Sequence, residues 1–133
     1  MHFRRGDYKG LQHVHNVLPL SYYEAASGEF GQHVRFMVFA EAEDAADIQK
    51  EIKQSSVLSR RECVFVDSRI PDYLQLLMMG QCADGGIVAN SSFSVWAAYL
   101  QPACNTVVAP LKWFAKPDEA AAADLCLPHW IRM

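Results

Sequence analysis

Short apolar runs alternate with longer stretches of helical period along almost the whole chain. The run 34–40 (VRFMVFA) predicts a buried strand. The segment 43–55 (EDAADIQKEIKQS) places apolar residues near helical spacing, with acids in its first turn, and predicts a surface helix. Residues 63–67 (CVFVD) predict the next strand, and 71–82 a helix with proline at its start and a glycine near its end. Strand, helix and strand follow over 85–90, 91–101 and 105–110, and an earlier helix is predicted over 18–30. The tail from Leu111 carries an alanine-rich stretch (DEAAAAD) and a closing LPHWIRM.

Strand and helix in alternation predict a parallel sheet covered by helices, an α/β Rossmann-like fold. At 133 residues the chain has the size of one domain, and no repeat or linker divides it. About half of its residues are hydrophobic (51%) and a fifth charged (20%), a soluble balance. A net charge of −3 argues against broad nucleic-acid binding but leaves room for a local anion site. No apolar run reaches the ~18 residues of a membrane helix, and the polar start MHFRRGDYKG has no signal-peptide pattern. Cys63, Cys82, Cys104 and Cys126 form no C-x-x-C pair and are expected to be buried free thiols.

In such folds ligands sit beyond the carboxyl ends of the strands, so chemistry is sought where strands turn into helices. Residues 90–94 (NSSFS) follow a predicted strand and open a predicted helix. Free backbone N–H groups there, with the hydroxyls of Ser91 and Ser92, would seat a phosphate; equally, Asn and Ser are ordinary helix caps. Gly85 and Gly86 lack the G-x-G-x-x-G spacing, and there is no Walker A sequence.

The opening HFRRGDY is the densest charged cluster. In an extended segment Arg4 and Arg5 face opposite ways, so one guanidinium would fork onto a phosphate while a structural carboxylate holds the other. Gly6 permits a close turn, and Asp7 would orient an arginine or accept a proton. A solvated charged terminus is the plainer alternative. Arg5-Gly6-Asp7 also spells an adhesion tripeptide, with nothing else pointing to secretion. His13 and His15, two apart, invite a metal reading but have no carboxylate or cysteine beside them in sequence and suit a surface loop.

Taken in order, HFRRGDY, VLPLSYYEAA, VRFMVFAE, VFVD, LLMMGQC, IVANSSFSVWAAYL and VVAPLKWF resemble glycosyltransferase family 11, the alpha-1,2-fucosyltransferases. The resemblance spans residues 2–132. It implies an inverting, metal-independent transfer of L-fucose from GDP-L-fucose, with no cofactor, to O2 of a terminal galactose on a glycan. It also implies the C-terminal donor-binding half of a GT-B enzyme. Val95 departs from the family, which usually has a tryptophan there, and an entire domain usually precedes the arginine block. That facing domain is expected to be missing, since Met1 leaves no room for the apolar strand leading into the arginines.

By the same resemblance, His2, Arg4, Arg5, Asn90, Ser91, Ser92 and Ser94 bind the donor. Arg5 is expected to be the main phosphate ligand and Arg4 a second ligand or structural, with Asp7 as candidate general base. A GDP or GDP-sugar-binding module without catalysis is the alternative function. Location would be cytoplasmic for a bacterial parent, and the Golgi membrane for an animal one.

Overall fold

The computed structural model describes residues 1–102, 105–115 and 124–133. Strands are β1 (Phe36–Val38), β2 (Cys63–Phe65), β3 (Gly85–Ile87), β4 (Thr106–Ala109) and β5 (Ile131–Arg132). Helices are α1 (Leu20–Ser27), α2 (Ala45–Gln54), α3 (Asp72–Gly80) and α4 (Ser92–Tyr99). Every predicted strand and helix is present, each shorter than the apolar pattern that announced it. The alanine-rich stretch lies largely outside the described residues, whereas LPHWIRM contributes β5, which no periodicity announced.

Two parallel sheets form, β1–β2 and β3–β4–β5. The first three residues join them. Phe39 N–H donates to Met1 O at 3.0 Å, Phe3 N–H to Phe39 O at 2.8 Å, and His2 N–H to Ile87 O at 3.0 Å. The backbone order is therefore β2, β1, residues 1–3, β3, β4, β5. Numbered from the first rung, this is 3-2-1-4-5-6, the doubly wound order of Rossmann-like proteins. Residues 1–3 thus form a short paired rung leading into the arginines, where Met1 was expected to leave no room for one.

Burial explains why this terminus does not fray. Phe3 is fully buried and stacks on Tyr23 at 3.8 Å between ring centroids. The main core gathers Phe3, Tyr22, Tyr23, Val38, Ile48, Leu58, Ile87 and Val108 from both sheets and from α1 and α2. Tyr22 Oη sits within hydrogen-bond distance of Val88 O (2.7 Å) and Val108 O (3.1 Å), so its polar tip finds partners inside the core. Trp113 and Trp130 are buried in a second cluster, whereas Trp96 on α4 is 63% exposed.

No described helix is long and apolar enough to cross a membrane. Cys63, Cys82 and Cys126 are free but half-buried rather than fully buried. Burial still pushes each thiol above its ordinary pKa, away from the reactive thiolate. Cys104 lies outside the described residues.

Candidate active site at the strand ends

A cavity of about 490 Å³ opens across the carboxyl ends of four strands. His2 comes from the first rung and Arg4 directly follows it, Ala40, Glu41 and Ala42 follow β1, Ser68 follows β2, and Ser91, Ser92 and Phe93 follow β3. Tyr8, Asp72 and Gln75 complete it. The first rung and β3 are the neighbours at which strand order reverses, the place where this fold leaves a crevice.

The two arginines part at the backbone, as alternation requires. Arg4 lines the cavity, bonded through Nη1 to Glu41 and through Nη2 to Asp7 at 2.8 Å, with its guanidinium carbon 5.1 Å from the Tyr8 ring centroid. Arg5 forks onto Glu51 of α2, both contacts at 2.7 Å, and is absent from the cavity wall. That hydrogen-bonded pair raises the Arg5 pKa and lowers that of Glu51. The expected order of the arginines is thus reversed in position: Arg5 has the structural carboxylate and Arg4 the cavity. Gly6 opens a tight 3-10 turn, Gly6–Gly10, with Asp7 exposed upon it and outside the cavity lining.

His2 is buried, its Nδ1 without a hydrogen-bond partner. Burial first, then nearby positive charge including Arg4, depresses its pKa to about 3, so it is a neutral imidazole near pH 7. Ser91 and Ser92 stand at the start of α4, and no hydrogen bond consumes either hydroxyl among the described residues.

Asn90 and Ser94 take other work. Asn90 Nδ2 donates to Asn16 O (2.8 Å) and Trp113 O (2.9 Å), tying two loops to the end of β3. Ser94 Oγ accepts Ala89 N–H at 3.1 Å and closes the strand-to-helix turn. Both are buried and neither lines the cavity. They shape the turn that presents Ser91 and Ser92.

Glu41, Ser68, Asp72 and Gln75 are cavity residues that motif reading missed. Their signal was positional: each lies just past β1 or β2, or in the first turns of α3. His15 stacks on Tyr8 at 4.2 Å, bracing that turn. No cluster of three metal-binding side chains occurs among the described residues.

Parallel strands flanked by helices, with a cavity at the reversal of strand order, define a Rossmann-like α/β protein. The chain belongs to glycosyl transferase family 11, whose description matches residues 1–133. It is similar to the O-antigen biosynthesis glycosyltransferase WbnK of Escherichia coli, 29% identical over 141 residues that take in 100% of this chain and 43% of that protein. It is also similar to an alpha-1,2-colitosyltransferase of Escherichia coli, 30% identical over 139 residues covering 100% of this chain and 46% of that protein. The chain therefore spans less than half the length of these relatives. No solved structure matches it significantly.

Proposed function

We propose that this chain is the donor-binding part of an inverting, metal-independent alpha-1,2-fucosyltransferase that moves L-fucose from GDP-L-fucose to O2 of a terminal galactose. The observation that carries this reading is one cavity holding the Arg4 guanidinium together with the unspent hydroxyls of Ser91 and Ser92 at a helix N-terminus. Family membership supports the reaction class, and one relative is named for the alpha-1,2 linkage.

When the bond from fucose C1 to the β-phosphate oxygen breaks, GDP gains negative charge on that phosphate. The acceptor O2 bonds C1 from the opposite face and gives up its proton. Arg4, the two serines and the first N–H groups of α4 would stabilise the departing diphosphate, as prearranged donors do in a water-poor site. Asp7 would orient Arg4 rather than act as base, since it is exposed and bonded to that arginine.

A carboxylate in an anion site needs a reason. Asp72 has no ion-pair partner among the described residues. The Watson–Crick edge of guanine carries adjacent N–H donors, which suit a carboxylate, and adenine lacks that pair. Asp72 therefore favours GDP over ADP. The greater length of the relatives motivates a second reading, in which this chain binds GDP or GDP-fucose without turnover of its own.

Calorimetry with GDP tests the reading. GDP should bind, ADP should bind more weakly, and Arg4→Ala should lose at least about tenfold in affinity, as expected for a charged hydrogen-bonding group. Equal affinity for GDP after Arg4→Ala would refute the assignment. Transfer of labelled fucose to lactose separates enzyme from binding module.

A further inference from the structure

The carboxylates from outside the motif that hold its two arginines and the turn after them all come from one stretch, Glu41 to Glu51, at the end of β1 and along α2. Glu41 pairs with Arg4. Asp44, fully buried, accepts Gly6 N–H at 2.6 Å through Oδ2 and pairs with Lys9 through Oδ1. Glu51 takes both Nη atoms of Arg5. Asp44 occupies the N-cap position of α2, where a carboxylate normally bonds its own first turn, yet it makes no such bond. Its charge is spent on the motif instead. Asp44 and Glu51 lie seven residues apart, about two turns, so they share one side of α2. A β-carbon on Gly6 would stand 3.0 Å from the Glu41 carboxyl, so the glycine is what lets that carboxylate approach.

We infer that Glu41, Asp44 and Glu51 are positioning residues that sort the motif, drawing Arg5 out of the cavity and pinning the turn after it so that Arg4 alone meets the ligand's phosphates. The inference rests on the donor reading above and deepens it. An arginine ordered before the ligand arrives spares binding the cost of immobilising it. Asp44 is the fixed member, since a buried carboxylate with two donors has nowhere else to go.

Titrations of the full chain with GDP and with guanosine, which lacks phosphates, test the clamp. Exchanging the pair, Arg5→Glu with Glu51→Arg, should leave both affinities within about threefold, the range of an interaction that is not lost. Asp44→Asn should weaken GDP about tenfold while leaving guanosine unchanged, because the effect travels through Arg4 to phosphate. If the folded exchange variant loses GDP selectively, Arg5 touches the ligand and the sorting is wrong. Should the exchange variant not fold, Asp44→Asn decides: equal losses of GDP and guanosine would reduce Asp44 to a scaffold residue and overturn the proposal. Failure of the unaltered chain to bind GDP would instead sink the donor reading, and the clamp with it.

Discussion

Arg4 and Arg5 are covalent neighbours with the same side chain; alternation sends them to opposite faces, and there each meets its own carboxylate, Glu41 or Glu51. The alternation of an extended segment made a division of labour legible in the sequence. Which arginine took which side was not, because Glu51 lies 46 residues away and only folding brings it to Arg5. His2 carries a prediction at this same scale. Its folded pKa of about 3 lies below the ordinary 6.5, so between those values the unfolded chain binds more protons. The contribution to stability is complete above about pH 6.5, declines as pH falls toward 3, and levels off below, with a slope approaching about 1.4 kcal/mol per pH unit. Urea melts at pH 7 and pH 5 should show this loss, and His2→Gln should flatten it. A slope unaltered by the substitution would assign the loss to other groups.

The elements followed from periodicity because burial of one face sets the spacing of apolar residues, and α2 shows it with Ile48 and Ile52 buried four apart. Their ends did not, since hydrogen-bond pairing stops before the apolar runs do. The pattern also says nothing of close contacts between elements. Gly85, which looked like part of a loop motif that failed its spacing, opens β3 at φ +120°, and a β-carbon there would meet Thr106 O of β4 at 1.8 Å. Gly85→Ala should therefore cost at least about 3 kcal/mol through backbone strain and a forced strand separation. Chemical denaturation measures it, and a loss under about 1 kcal/mol, the ordinary size for a mutation, would contradict the geometry.

For the molecule as a whole, residues 1–3 matter out of proportion to their number, because they join two sheets that share no direct backbone bond among the described residues. Phe3→Ala removes a fully buried ring from that seam and should cost about 3–5 kcal/mol. GDP binding and the thermal transition should fall together in this variant. Retention of a wild-type melting point would mean that the seam is not where the fold is held.

The sequence by itself determined the alternation of strands and helices, the Rossmann-like class, and the two short segments that meet at the cavity. Those properties are local, written in side-chain period and in residue types with few uses. Only the tertiary structure decided the strand order, the acids that surround the arginines, and the choice of Arg4 over Arg5 for the cavity. Each of those depends on groups far apart in the chain, and hydrophobic period specifies which face is buried without naming the partner that buries it.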